Sequence, residues 1–97
     1  MDTGVAQVSI PSTVLCRELD GELVLLDLDQ GTYFSMNPVG TRIWQLIERF
    51  DGRLQPVIDS LLQEFDVAET PCRLDLAAWI ETLCEHRLLK PKQPSAA

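Results

Sequence analysis

The stretch that decides the fold covers residues 25–44 and reads LLDLDQGTYFSMNPVGTRIW. An apolar run ends in the turn signal Asp29-Gln30-Gly31, and Thr32-Tyr33-Phe34 then brings the β-branched and aromatic residues typical of strands. Asn37 is a good helix N-cap, and Pro38 suits the first position of a helix. The stretch therefore predicts a strand, a turn, a second strand and the start of a helix.

The residues before this stretch add one more strand. Asp20-Gly21 is a signal for a two-residue hairpin, because both residues tolerate a positive φ. It joins a predicted strand at Val14–Leu19 to one at Glu22–Leu28, and the third strand is expected over Thr32–Met36. The result is a three-stranded antiparallel meander, with its most apolar strand in the centre.

Three helices are predicted after residue 37, because apolar residues recur there at helical spacing. The first ends at Asp51-Gly52, the second has Pro56 in its first turn, and the third is expected to begin at Thr70-Pro71 and end near His86-Arg87. The predicted fold class is α+β, a winged helix-turn-helix-like domain with a three-stranded antiparallel sheet followed by three helices. The core face expected for the first helix consists of Val39, Ile43, Trp44, Leu46, Ile47 and Phe50.

Length and composition predict one small domain in a chain of 97 residues with a net charge of −7. We expect residues 1–12 to be loosely ordered, residues 13–90 to form the domain, and residues 91–97 to be a disordered tail. The absence of a signal peptide and of a long apolar run predicts a cytoplasmic protein with no membrane partner. The negative charge argues against nucleic acid as a partner.

Residues that could support catalysis or metal binding are few. His86 is the sole histidine and falls at a predicted helix end, where it suits the helix dipole better than a role as general base. Three scattered cysteines predict buried free thiols, and the carboxylates around the hairpins, among them Asp27, are expected to be solvated. The sequence predicts a chain that is not an enzyme and has no cofactor and no metal site.

The third predicted strand offers a binding surface, because it lacks the Lys, Pro or bulge that usually protects a sheet edge. An extended peptide could add to it as a further strand. By alternation, Phe34 lies on the core face and Tyr33 on the other, where it is the better ligand anchor. A groove between this strand and the third helix is expected to bring Tyr33, Leu76 and Trp79 together, with Asp75 at the rim. A short solvated edge, or pairing of two copies through it, is the alternative.

Residues 25–47 resemble the PqqD-like family, whose members show an aspartate-rich turn, the pattern G-x-Y-[YF]-x-[LM]-N and then [EP]-x-G-x-x-[IV]-W. Residues 63–67 and Arg87-Leu88-Leu89 fit the same family, so that the similarity extends from Val14 to Leu89. Pro38 and Arg87 depart from the pattern, since many members carry Glu and Gly there.

The resemblance implies a recognition element for ribosomally synthesised, post-translationally modified peptides (RiPPs). Such an element binds the leader segment of a precursor peptide beside the third strand. It presents that segment to a modifying enzyme: a radical SAM enzyme in coenzyme PQQ biosynthesis, or a leader protease and cyclase in lasso-peptide biosynthesis. The peptide-binding positions implied by the resemblance are Thr32, Tyr33, Phe34, Ser35, Asp75, Leu76, Trp79 and Leu83. The alternative is a winged-helix DNA-binding regulator, which would need a more basic third helix.

Overall fold

The computed structural model describes residues 6–92, which form a sheet, a layer of helices and a short pairing of the two chain ends. The strands are β1 (Val8–Ser9), β2 (Val14–Leu19), β3 (Glu22–Asp27), β4 (Thr32–Ser35) and β5 (Lys90–Pro91). The helices are α1 (Pro38–Arg49), α2 (Leu54–Glu64) and α3 (Glu69–Glu85). Within this described part, each helix is too short or too polar to span a bilayer.

The sheet is antiparallel with the order β2-β3-β4, as the sequence predicts. Asp20 and Gly21 have φ values of 54° and 81°, so that they form the predicted two-residue turn between β2 and β3. The register places Leu26 of β3 between Leu15 of β2 and Tyr33 of β4. The predicted α+β fold class, with three strands followed by three helices, is confirmed.

The core lies between one face of the sheet and the helices. Leu25 of β3 and Trp44 of α1 are fully buried there, and Leu88 and Leu89 fold back onto the same core after α3, as predicted. Val39 was expected in the core but is 52% exposed, because it lies in the first turn of α1 beside an open cavity.

The helix starts follow the sequence signals only in part. The Asn37 side chain accepts the N–H of Gly40 at 2.7 Å, which confirms the predicted cap of α1. Helix α3 begins at Glu69 rather than at Thr70-Pro71, with Ala68 at the N-cap position and no side-chain cap. Pro71 still lies in the first turn, where its missing N–H leaves no intrahelical bond unmade.

A Schellman motif ends α3 and positions the last apolar residues. The Leu88 N–H donates to the Leu83 carbonyl at 2.9 Å, and the Arg87 N–H donates to that of Cys84 at 3.0 Å. Arg87 adopts the left-handed conformation, with a φ of 61°, at the position where the family pattern favours glycine. The motif turns the chain so that Leu88 reaches the core next to Leu83.

We expect Arg87→Gly to raise the free energy of unfolding by about 0.5–1 kcal/mol, because glycine adopts this conformation without the steric cost of a Cβ. Urea denaturation of the two proteins measures the difference. Asp51→Gly is the matched control: Asp51 holds the equivalent position after α1 with a φ of 55°, and aspartate tolerates that region better, so the gain should be smaller. A lower stability of Arg87→Gly would contradict this account.

The N-terminal segment is held more firmly than its sequence predicts. Residues of β1 pair with β5, and the Val8 N–H also donates to the Gly52 carbonyl at 2.9 Å. Val8 is buried and Ile10 packs against the core, so that two apolar side chains anchor the part expected to be loose. The predicted tail begins at Pro91, which belongs to β5, and residues 1–5 and 93–97 lie outside the described residues.

Candidate functional site

The open edge of β4 carries main-chain groups that point away from the sheet. Within residues 6–92, β4 pairs with β3 alone. The Met36 N–H donates to the Leu23 carbonyl at 2.8 Å, which fixes the alternation of the hydrogen-bond ladder. Thr32 and Phe34 therefore direct their main-chain groups to β3, whereas Tyr33 and Ser35 direct theirs to the open edge.

The side chains of β4 alternate between the two faces of the sheet. Phe34 is opposite Leu25, which is fully buried, and its side chain therefore faces the helices. Tyr33 is opposite Leu26 on the other face and is 72% exposed. Its predicted meeting with Leu76 and Trp79 in one groove is wrong, because those residues belong to the helical layer.

Helix α3 lines the helical side of the β4 edge. The rings of Phe34 and His86 are 5.1 Å apart, measured between centroids. Further along, Gly40 allows a close approach, since a Cβ there would lie 3.1 Å from Met36 Sδ and 3.4 Å from Trp79 Nε1. The chain of α3 thus runs opposite to that of β4, with His86 beside the strand and Trp79 just past its end.

An open cavity of about 300 Å³ adjoins Trp79. Asp75 is its one charged residue and is exposed, and burial raises the pKa of the Cys72 thiol, which keeps that group neutral. A cavity with such walls suits an apolar side chain, with a cationic group near Asp75. Its lining residues are Val39, Ile43, Leu61, Phe65, Val67, Cys72, Asp75, Leu76 and Trp79.

Comparison with known proteins identifies the family. The sequence profile described as "Coenzyme PQQ synthesis protein D (PqqD)" matches residues 22–89. The chain belongs to the PqqD family. The predicted resemblance is therefore confirmed over strands β3 and β4 and all three helices of this PqqD-family chain.

Two solved structures share the PqqD-family fold of this chain. One is TbiB1 in complex with the TbiA(beta) leader peptide, with 32% identity, coverage of 89% of this chain and 99% of that chain, and a TM-score of 0.82. The other is lasso peptide synthetase B1 complexed with the leader peptide, with 24% identity, coverage of 89% and 100%, and a TM-score of 0.75; this second likeness shows the fold alone. No curated protein matches the sequence.

The structure divides the predicted binding residues of this PqqD-family chain into three groups. Asp75, Leu76 and Trp79 come together at the cavity. Leu83 is buried in the core and does not line that cavity. The remaining residues form the β4 edge: Thr32, Tyr33 and Ser35 are exposed and Phe34 is half-buried.

The site contains exposed residues that sequence reasoning did not assign to it: Val39, Phe65, Val67 and His86. Phe65 continues the apolar stripe expected for the second helix but lies just after the end of α2, and Val67 lies in the connection that follows; both are exposed. Apolar residues in a connection are a signal that could have pointed to a cavity wall. His86 has no such signal, because its contact with Phe34 depends on where α3 packs.

A buried carboxylate shapes the turn that leads into β4. Asp27 was expected to be solvated, but it is 2% exposed and its Oδ1 accepts the N–H groups of Asp29 at 3.0 Å and Gln30 at 3.3 Å. This Asx-type arrangement replaces the solvent contacts that the carboxylate loses. Asp27 therefore closes the turn and sets the position of Thr32.

The sequence predicted that all three cysteines of this PqqD-family chain are buried, and this prediction is wrong for one of them. Cys72 is buried and Cys84 half-buried, but Cys16 is exposed because it lies on β2, at the other open edge of the sheet. In the part of the chain that the structure describes, no group of three or more His, Cys, Asp or Glu residues is close enough to hold a metal ion.

Proposed function

We propose that this chain binds the leader segment of a ribosomally synthesised precursor peptide as a fourth strand on the open edge of β4. The observation that carries the proposal is the outward direction of the main-chain groups of Tyr33 and Ser35 beside the wall formed by α3. An extended peptide would exchange hydrogen bonds with these groups and extend the sheet. The leader peptide in the complex of TbiB1, which is 32% identical to this chain, supports a ligand of this class.

Affinity and selectivity would then come from different parts of the site. Main-chain hydrogen bonds along β4 can form with almost any peptide sequence, whereas the cavity beside Trp79 selects an apolar side chain of the peptide. Asp75 at the cavity places a carboxylate near that side chain, and the net charge of −7 also attracts a cationic peptide. We expect the bound segment to combine an apolar anchor with a neighbouring basic residue.

The chain would act by presenting the bound peptide rather than by chemistry of its own. Its sole histidine, His86, packs against Phe34 in the groove, and burial raises the pKa of the Cys72 thiol. The enzyme that receives the peptide is a radical SAM enzyme, or a leader protease or cyclase of a lasso-peptide pathway. A DNA-binding role finds no support in α3, where Asp75, Glu81 and Glu85 are exposed.

Hydrogen exchange at single amides tests the proposed strand addition. The probe is a synthetic leader peptide, whose sequence is to be taken from a short precursor reading frame sought among the genes next to that of this chain. At saturation, we expect the amides of Tyr33 and Ser35 to exchange at least about tenfold more slowly, because they become hydrogen-bonded. The amides of Cys16 and Glu18 on β2 are matched controls at the opposite edge. The Leu28 N–H donates to the Thr13 carbonyl, and the alternation of hydrogen bonds from this pair along β2 points both amides away from β3.

Two results would overturn the proposal. One is binding of the leader, measured by calorimetry, with protection of Cys16 and Glu18 instead of Tyr33 and Ser35. The other is binding with no added protection at either edge, which would mean that the peptide docks without strand pairing.

A further inference from the structure

The sheet face that points away from the helices carries an exposed apolar row. Leu15, Leu26 and Tyr33 lie directly opposite one another across β2, β3 and β4, with exposed fractions of 45%, 38% and 72%. We call these three residues the outer row. An antiparallel sheet covered on one side usually turns polar side chains to the solvent on the other. The outer row therefore has the composition of a contact surface.

The neighbours of the outer row extend this surface and give it a charge. Leu19 and Leu28 are exposed on the two sides of the row, toward opposite ends of the strands, and Val24 is half-buried in the next row. Arg17 is opposite Val24 and so points to the same face. Its guanidinium makes no ion pair within residues 6–92. A partner that covers the outer row can thus place a carboxylate opposite Arg17.

Neither the described chain ends nor a second copy is a good cover for this face. Strands β1 and β5 lie at the turn between α1 and α2, in the helical layer on the other side of the sheet. A second copy stacked on the face would gain little area. Three strands about 4.8 Å apart and about 20 Å long give roughly 300 Å² per copy, so that the pair buries roughly 600 Å², and stable interfaces bury about 1,200 Å² or more.

A bound peptide would change this face. A fourth strand beside β4 widens it by about a third, to roughly 400 Å² per partner, and every second peptide side chain points outward next to Tyr33. This size suits a transient encounter with an enzyme rather than a permanent dimer. We infer that the outer row and these outward peptide side chains form one composite surface, which the peptide-modifying enzyme binds through an apolar patch with a carboxylate opposite Arg17. This inference rests on the proposed function, and it means that the enzyme binds the loaded chain more tightly than the empty one.

The two faces of the bound peptide then contact different proteins. Inward side chains, near Trp79, determine the affinity of the peptide for this chain. Outward side chains, next to Tyr33, determine the affinity of the enzyme for the complex. Substitution of alternate residues of the peptide should accordingly separate the two affinities.

Variants of the outer row test the inference without touching the β4 edge. The enzyme is a purified radical SAM enzyme, leader protease or cyclase sought among the genes next to that of this chain. Its affinity is measured by calorimetry against the full chain saturated with the synthetic leader. We expect Leu15→Ser and Leu26→Ser each to weaken enzyme binding at least tenfold, with leader affinity within twofold of the wild-type value. Leu74→Ser is the control, because Leu74 is 48% exposed on α3, in the helical layer, and should change neither affinity.

The outcomes distinguish this inference from the proposed function. Wild-type affinity of the enzyme for both folded outer-row variants, with the leader bound, would overturn the composite surface alone. Failure of the leader to bind the wild-type chain would overturn the proposed function and the inference together. A wild-type dimer that Leu26→Ser dissociates, seen by sedimentation, would show that a second copy covers the face and would also overturn the inference. Circular dichroism and urea denaturation confirm that each variant folds.

Discussion

Tyr33→Pro should weaken binding of the leader peptide by about 30- to 140-fold while the domain stays folded. Proline removes the outward N–H of Tyr33 and leaves a peptide carbonyl without its partner, at a cost of about 2–3 kcal/mol. The β3–β4 ladder is spared, because Tyr33 makes no hydrogen bond to β3 in the observed alternation. Calorimetric titration with the synthetic leader measures the loss.

Cys16→Pro is the matched control for this change. Cys16 lies on the opposite edge strand, β2, and its main-chain groups also point away from the sheet. The two variants should lose similar stability in urea, but only Tyr33→Pro should lose affinity. An unchanged dissociation constant for a folded Tyr33→Pro protein would place the peptide elsewhere, and an equal loss in both variants would point to a general effect on the sheet.

The order of elements was predictable because each boundary has a strong local signal. Asp20-Gly21 forms the turn it predicts, and the Asn37 side chain caps α1 as expected. Such signals act within a few residues, so that one sequence is enough to read them. The start of α3 was placed two residues late, since Thr70-Pro71 resembles a cap and first helical residue, but Ala68 holds the cap position and the helix begins at Glu69.

The candidate site was only partly predictable, because it depends on how distant elements pack. Alternation along β4 correctly separates Tyr33 from Phe34, but the side of the sheet that α3 covers is a tertiary property. Trp79 and Phe34 therefore line the helical side of the edge, and Tyr33 does not. The burial of Asp27 was missed for the same reason. An acidic turn is expected to be solvated, and the hydrogen bonds that compensate its burial are known only from the structure.

Under the proposed function, the two sides of the sheet would let so small a chain serve as an adaptor. Its edge strand offers main-chain hydrogen bonds, its helical side offers the cavity at Trp79, and its outer face offers the row that contains Tyr33. A ligand bound at the edge touches both sides at once. Recognition of the peptide and recognition by an enzyme can therefore be coupled without a conformational change in the domain.

The turn between α1 and α2 should be the most sensitive glycine position in the described chain. Gly52 has a φ of +78°, and a Cβ there would lie 1.7 Å from the Val8 carbonyl oxygen and 2.8 Å from the carbonyl carbon. Both are backbone atoms, so that no side-chain rotation can relieve the contact. Val8 would have to move, which breaks its hydrogen bond to Gly52 and exposes a buried side chain.

Gly52→Ala should lower the free energy of unfolding by about 3 kcal/mol or more, the sum of a left-handed alanine, a broken hydrogen bond and lost burial of Val8. Gly21→Ala isolates the first contribution, because Gly21 has a nearly equal φ of +81° but nothing within 4 Å of the added Cβ. It should cost about 1 kcal/mol. Urea denaturation compares the two proteins, and faster exchange of the Val8 amide in Gly52→Ala would locate the damage. Equal losses in both variants would mean that β1 is not held against this turn, and that the packing of Val8 contributes little to the domain.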